Sequence, residues 1–204
     1  VYLDNEPELV NMLDPRSGFS ALMTALYYME PEIASLLMER GATVNLFEAA
    51  AAGKIESLRA LLDERPESIN GFSPDGFQAL GLAAFFGQDA AAELLLARGA
   101  EVNTPSRNRM SVCPLHSAVA ARRLRIASLL IEHGADVNAV QSDGFTPLMG
   151  AAQNGQIEMI ELLLARGARA DAARANGQTV LDLARESGHA AAAEWIQRHA
   201  GGEA

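Results

Sequence analysis

Cys113 and His116 are the clearest candidates for chemistry, because a thiol and an imidazole in C-x-x-H order could form half of a zinc site. A second such pair is absent, since the chain contains one Cys. No P-loop, Gly-rich dinucleotide motif, H-E-x-x-H or G-x-S-x-G motif occurs. Carboxylates such as Glu158 and Glu161 are spread along helical segments and form no acid–base pair. The sequence therefore predicts a protein that is not an enzyme and uses no metal or cofactor.

Composition indicates an all-helical protein of one ordinary domain. The chain has 204 residues, of which 49% are apolar and only 5% are aromatic. Much of the apolar content is Ala and Leu, which are strong helix formers. Lys54 is the only Lys among 16 basic residues, a preference for Arg that, with abundant Ala, suggests a GC-rich bacterial genome.

Charge and Cys usage narrow the classes of partner. The net charge of −10 argues against nucleic acid and against anionic membrane surfaces. The longest apolar run, ALGLAAFF at 79–86, is too short to cross a bilayer. A single Cys excludes an internal disulfide and favours a reducing, cytoplasmic compartment.

The sequence repeats with a period of about 33 residues. One marker is a recurring apolar pair, at Leu36-Leu37, Leu61-Leu62, Leu94-Leu95, Leu129-Leu130, Leu162-Leu163 and Trp195-Ile196. A second marker, here called the Asn slot, recurs at Asn45, Asn70, Asn103, Asn138 and Asp171. The two series agree: one step is shortened to 25 residues and one is lengthened to 35.

Residues 143–171 show the unit most clearly, as DGFTPLMGAAQNGQIEMIELLLARGARAD. Asp143-Gly144 predicts a turn, and Thr146-Pro147 predicts the cap and first position of a short helix. Gly155 ends that helix, and a second helix follows to Arg166. A unit this small cannot bury its apolar side alone, so it must stack on its neighbours.

These units resemble ankyrin repeats. The pattern appears in CPLHSAVAARRLRIASLLIEHGADVN at 113–138 and in FTPLMGAAQNGQIEMIELLLARGA at 145–168. The resemblance implies an all-α solenoid of helix–turn–helix units, with hairpin loops that project from the stack. It also places Cys113 and His116 at the Thr and His positions of the TPLH motif, where the imidazole bonds to neighbouring loops.

The repeats divide the chain into six units between two terminal segments. We expect a capping helix within 1–16, an ankyrin domain over 17–200 and a flexible tail at 201–204. The predicted repeats are 17–45, 46–74, 75–109, 110–142, 143–175 and 176–200.

The short step falls in GATVNLFEAAAAGK, residues 41–54, where one projecting loop is deleted at 45–46. Asn45 and Glu48 have the spacing of a capping box for the next helix. Phe47 stands where the TPLH motif has His. We predict a notch in the binding surface here, floored by small residues and walled by aromatic residues.

The resemblance implies a non-catalytic module that binds a partner protein through a concave surface. The residues at the ends of the first helices, and those preceding the TPLH-like motif, are predicted to lie there, with one exposed ring in each aromatic pair. We expect the contact surface to centre on repeats 1–3 and the protein to be a monomer. The candidate contact residues are Phe19, Tyr27, Tyr28, Phe77, Phe85, Phe86, Val112, Phe145, Gln153 and Asn154.

An alternative function is suggested by a local excess of Arg in the fourth repeat. Five of the 16 basic residues fall within 107–125, namely Arg107, Arg109, Arg122, Arg123 and Arg125. Such a cluster predicts a site for a small anionic or phosphorylated ligand, or else a solvated rim. A further possibility is that the chain is an adaptor fragment of a larger protein.

Overall fold

The computed structural model describes residues 7–199, which contain twelve α-helices arranged as six successive pairs. No β-strand is present in this part of the chain, which confirms the all-α prediction. The predicted tail at 201–204 lies outside it, and of the predicted capping segment Pro7–Asn11 forms a short 3-10 helix. The inner helices are α1 (Ala21–Tyr27), α3 (Leu46–Ala52), α5 (Ala79–Phe86), α7 (Pro114–Ala120), α9 (Pro147–Gln153) and α11 (Val180–Glu186). The outer helices are α2 (Pro31–Glu39), α4 (Ile55–Glu64), α6 (Asp89–Ala97), α8 (Leu124–Glu132), α10 (Ile157–Ala165) and α12 (Ala190–His199).

Local sequence sets where the inner helices begin and end. Thr146 accepts a bond from the backbone of Met149, and Pro147 occupies the first turn, as expected for a helix start. Glycines in the left-handed conformation end most inner helices. Arg122 takes that conformation without being Gly, at φ 61°, which costs about 1 kcal/mol.

Alanines let the inner helices pack closely. The Ala side chains that face neighbouring inner helices have no exposed surface, at Ala49, Ala50, Ala83, Ala84, Ala118, Ala151, Ala152 and Ala184. The inner helices consequently contact one another more extensively than the outer helices do. A stack that is tighter on one side curves toward that side, so the inner helices line the concave surface.

The outer helices contribute the larger core side chains. Leu58, Leu95, Leu130 and Leu163 are each at most 1% exposed, and each is packed in the common core. Burying a Leu side chain contributes about 1.5–3 kcal/mol. The core is therefore continuous along the stack, and each pair depends on its neighbours for burial.

The shortened step is held by the predicted capping box. The Asn45 side chain accepts bonds from the backbone N–H groups of Phe47 and Glu48, at 2.9 and 3.0 Å. The Glu48 carboxylate accepts from the Asn45 N–H at 2.8 Å and also from the hydroxyl of Ser20, the N-cap residue of α1. Glu48 is only 1% exposed, so these bonds satisfy a buried carboxylate and join the first two repeats.

We predict that Asn45→Ala lowers the free energy of unfolding by about 1 kcal/mol, because two first-turn amides lose their acceptor. Urea unfolding followed by circular dichroism measures the change. Thr43→Ala is the matched control, since Thr43 is exposed two residues earlier and its change should be within about 0.5 kcal/mol. Equal effects of the two substitutions would contradict the role of the cap.

Candidate functional site

The projecting loops, here called fingers, contact one another along the concave side. A finger comprises the residues between an Asn slot and the N-cap residue of the next inner helix, and it is numbered by the repeat whose inner helix follows it. The third finger is 71–77, the fourth 104–112 and the fifth 139–145. The Arg107 N–H donates to the Gly76 carbonyl at 2.8 Å, and the Asn108 amide donates to the Asp75 carbonyl at 3.1 Å. In the same way, the Ser142 hydroxyl donates to the Arg109 carbonyl at 2.7 Å. Each finger is therefore positioned by its neighbour.

The third finger reaches the first repeat directly, across the repeat that has no finger. The Tyr27 hydroxyl donates to the Asp75 carboxylate at the tip of the third finger. Burial, together with the hydrogen bond to Asp75 and its charge, raises the pKa of the Tyr27 phenol, which therefore remains a donor. Gly18 lies against Pro74, so that a Cβ on Gly18 would be 3.3 Å from the Cβ of Pro74.

At the deleted loop the sequence left open whether the predicted notch is filled, and in the structure aromatic rings close it. The centroids of the Tyr27 and Phe86 rings are 5.3 Å apart, over the fully buried Ala51. Phe19 stacks on Tyr27 at 5.5 Å. Phe47 is half-buried and packs against the same cluster. Because Ala51 is small, rings from the first and third repeats can meet over the second repeat.

Beside these rings lies one groove of about 510 Å³ on the concave surface. Its floor includes Leu82 and Ser117 from α5 and α7, and its walls are mostly apolar. The fingers contribute Asp75, Phe77, Met110, Val112 and Gln141. The groove is therefore built from the first, third and fourth repeats, and the second repeat adds no lining residue.

Five of the predicted contact residues line this groove: Phe19, Tyr27, Phe77, Phe85 and Val112. Phe86 packs behind it, edge-on to Phe85 with centroids 5.3 Å apart. Phe145, Gln153 and Asn154 line a depression of about 110 Å³ that adjoins the groove and shares His116, Ala120 and Gln141 with it. Tyr28 lies at the amino-terminal end of the stack. The groove is thus displaced toward the fourth repeat from the predicted centre in repeats 1–3.

The aromatic pairs differ in exposure. Tyr28 is 76% exposed and Tyr27 is half-buried, as expected for one exposed ring per pair. Phe85 and Phe86 are both half-buried, so the second pair departs from that expectation. The reason is that Phe86 contacts Tyr27, while Phe85 packs edge-on against Phe86 at the groove wall.

Met110, Ala120 and Gln141 line the groove but were not among the candidate contact residues, although Ala120 was expected on the concave side. Met110 is 54% exposed and lies on the lengthened fourth finger, so an apolar residue in that insertion was an available signal. Ala120 occupies the same place in its helix as Phe85 but carries no aromatic ring. Gln141 reaches the groove only because the fifth finger leans on the fourth, which no local pattern indicates.

The predicted Arg cluster divides between two places. Arg107 stacks over the ring of Phe72, 4.0 Å from its centroid, and Arg109 lies beside it on the fourth finger. Arg122 and Arg123 lie at the turn between α7 and α8, and Arg125 lies in the first turn of α8, so all three are at the other end of the repeat's inner helix from the fourth finger.

The Arg residues at the turn are engaged by groups of the protein itself. Arg125 pairs with Asp89 at 3.1 Å and with Glu93 at 2.7 Å. The Arg122 guanidinium donates to the Asn154 carbonyl at 2.7 Å. Arg123 packs its guanidinium against Gly87. The five side chains therefore do not converge on one anion.

Cys113 and His116 have structural roles. Cys113 is buried at the N-cap of α7, and burial raises the pKa of its thiol, which disfavours the thiolate. His116 is 3% exposed and its Nε2–H donates to the Phe145 carbonyl at 3.2 Å in the next finger, as the resemblance implied. Among residues 7–199, no group of three or more His, Cys, Asp or Glu residues could hold a metal ion.

Stacked helix pairs, a shared core and a ladder of projecting fingers define a helical solenoid of the repeat class. The family profile described as "Ankyrin repeats (3 copies)" matches residues 46–141 and 115–203, and the chain belongs to this family. Ankyrin repeats are a protein–protein interaction module. Within the described part of the chain, no helix is long and apolar enough to cross a membrane.

Curated relatives come from animals and from a bacterium. Human neurogenic locus notch homolog protein 2 is 42% identical over 79 residues, which are 38% of this chain and 3% of that protein. The chicken nuclear factor NF-kappa-B p105 subunit is 31% identical over 159 residues, 71% of this chain and 16% of that protein. A putative ankyrin repeat protein of Rickettsia felis is 32% identical over 142 residues, 67% of this chain and 62% of that protein. The chain thus spans less than two thirds of each of these relatives.

We predict that the protein loses stability as the pH falls below about 6.5, and that His116 contributes to this loss. Burial lowers the pKa of His116 below its model-compound value of 6.5, so the unfolded state takes up a proton first. Stability from this group is complete above that pH and is lost as the pH falls through the folded-state pKa. The midpoints of urea unfolding at pH 7.5 and at pH 5.5 measure this loss of stability.

His116→Gln should reduce the difference between the two midpoints, because Gln does not titrate. The exposed His133 provides the control, and His133→Gln should keep the difference close to that of the wild type. An unchanged difference in His116→Gln would contradict the prediction.

Proposed function

We propose that this chain binds a partner protein through the concave groove formed by the first, third and fourth repeats. The observation that carries the proposal is the groove itself, which has a volume of about 510 Å³ and largely apolar walls. Four aromatic rings line it: Phe19, Tyr27, Phe77 and Phe85. Rings that are half-buried and held by neighbouring rings lose little conformational freedom on binding. Such residues can act as anchors worth roughly 2 kcal/mol or more each.

The groove favours a partner that inserts one or two apolar side chains. Five of its lining residues carry polar groups, namely Tyr27, Asp75, His116, Ser117 and Gln141. These groups are suited to bind a backbone or a polar group next to the inserted side chain. We propose that the protein does this as a cytoplasmic monomer, consistent with its single buried thiol.

The alternative of an anion site at the Arg cluster has no supporting observation. Arg125 is already neutralised by two carboxylates, and the guanidinium of Arg122 is used by a backbone carbonyl. The fingertip residues Arg107 and Arg109 are distant in the repeat from that turn. We therefore assign these residues to the rim of the fold and not to a ligand.

Ala120→Arg tests the proposal, because Ala120 is exposed within the groove and an Arg side chain there would fill part of it. We expect proteins captured by the wild type from a lysate of the native cell to be lost with this variant, with at least a tenfold drop in affinity for the strongest of them. Capture quantified by mass spectrometry, followed by calorimetry on that partner, measures both.

The matched control is Ala60→Arg, which places the same side chain at an exposed position on the outer helix α4. It should leave capture unchanged, and both variants should keep the wild-type melting temperature within about 2 °C. Full capture by Ala120→Arg would exclude the groove as the binding site.

A further inference from the structure

The amino-terminal end of the stack exposes an unusual amount of apolar surface. Nine large apolar side chains are more than 40% exposed in the described part of the chain, and six of them lie in the first repeat or the finger before it. These six are Met12, Leu13, Tyr28, Met29, Ile33 and Leu36. Four of them, Met12, Leu13, Tyr28 and Ile33, line one depression at this end of the stack, and such a concentration indicates an interface.

Ile33 on the outer helix α2 shows what kind of interface this is. Ile33 lies three residues before Leu36, the first member of the apolar pair in its repeat. In every later repeat the side chain at the same position is buried. Ile33, in the same position, is 49% exposed. The later equivalents are Leu58, Ala91, Ile126, Met159 and Ala192, with exposures of 0, 0, 0, 2 and 1%. Among residues 7–199, the first repeat is the one without a preceding helix pair, so in the other repeats such a pair covers this position.

Asn11 carries the signature of the end of an ankyrin repeat. It lies 34 residues before Asn45 and so continues the Asn-slot series backwards. Its side chain accepts from the Thr43 N–H at 2.7 Å and donates to the Gly41 carbonyl at 3.5 Å. Asn103 makes the equivalent two contacts with the repeat that follows it. Its side chain accepts from the Asp136 N–H at 2.8 Å and donates to the Gly134 carbonyl at 2.9 Å.

The segment before Asn11 repeats another feature of a complete unit. Pro7–Asn11, with the sequence PELVN, is a 3-10 helix, as is Pro66–Asn70, PESIN, which follows the outer helix of the second repeat. Val10 is 3% exposed and packs with Leu22, Ala34 and Leu37, so this turn already stacks on the first repeat. A finger then follows, closed by a bridge between Leu13 and Ser20.

The opposite end of the stack has a different surface. The exposed residues of the last outer helix α12 include Glu194, Gln197 and Arg198, which are polar. A solenoid ends in water on such a polar face, whereas its internal faces are apolar. The two ends of the described stack therefore differ: the exposed residues of α12 are mainly polar, whereas those of the first repeat include several large apolar side chains.

We propose that Pro7–Asn11 is the end of a further ankyrin repeat, and that the helix pair of that repeat, encoded upstream in the same polypeptide, covers the apolar face formed by α1 and α2. In the fifth repeat the inner helix begins at Pro147, 24 residues before Asp171. Ten residues precede Asn11 in this sequence, so most of the pair lies upstream of it. The inference concerns the end of the stack and stands whether or not the groove binds a partner.

The test compares Ile33→Glu in two chains: the 204-residue chain and the chain extended by the codons that precede Val1 in its gene. In the shorter chain Ile33 is half in water, so a carboxylate should change the melting temperature by less than about 2 °C. In the extended chain it would be buried without a partner, and we expect the melting temperature to fall by roughly 5–10 °C.

Leu124→Glu is the matched control, because Leu124 is 41% exposed on the outer helix α8 and should tolerate Glu in both chains. An equal response of the two chains to Ile33→Glu overturns the proposal, as does a reading frame that encodes no helix pair before Val1. A dimer of the 204-residue chain that persists in the extended chain and is dissociated by Ile33→Glu, measured by light scattering, would assign the face to a second copy instead.

Discussion

Every feature of this molecule depends on the inability of one helix pair to bury its own apolar side. Ala pairs such as Ala83 and Ala84 let the inner helices of neighbouring repeats approach closely, and Leu residues of the outer helices such as Leu95 fill the core between the repeats. The same constraint makes the ends of the stack different from its middle. A position that is fully buried at Ile126 and Met159 becomes half-exposed at Ile33, with no change in the character of the residue.

The shortened second repeat shows how such a stack tolerates deletion of a finger. Asn45 and Glu48 satisfy the start of the new helix locally, so the N–H groups of Asn45, Phe47 and Glu48 have acceptors although the loop is missing. The third finger then bonds to the first repeat through Tyr27 and Asp75. The deletion therefore brings two aromatic regions together, and the groove lies beside the rings that close the gap.

Residue types that perform chemistry in enzymes are used here to position backbone. His116 bonds to the next finger, Cys113 fills the start of a helix, and Glu48 joins two repeats. Burial disfavours the charged forms of both Cys113 and His116. The concave groove is largely apolar, and apolar surface of complementary shape is what protein recognition relies on.

The sequence by itself determined the helix pairs, their period, the deleted finger and the caps, because these follow from local residue patterns and from contacts between adjacent repeats. The capping box of Asn45 and Glu48 could be predicted from spacing, and the bond of His116 to the next finger from the resemblance to the ankyrin motif. Only the tertiary structure decided that Tyr27 meets Phe86, that Tyr28 faces the end of the stack, and that the Arg residues separate. These outcomes depend on how fingers lean across repeats, and the packing that sets those angles is non-local and leaves no periodic signal in the sequence.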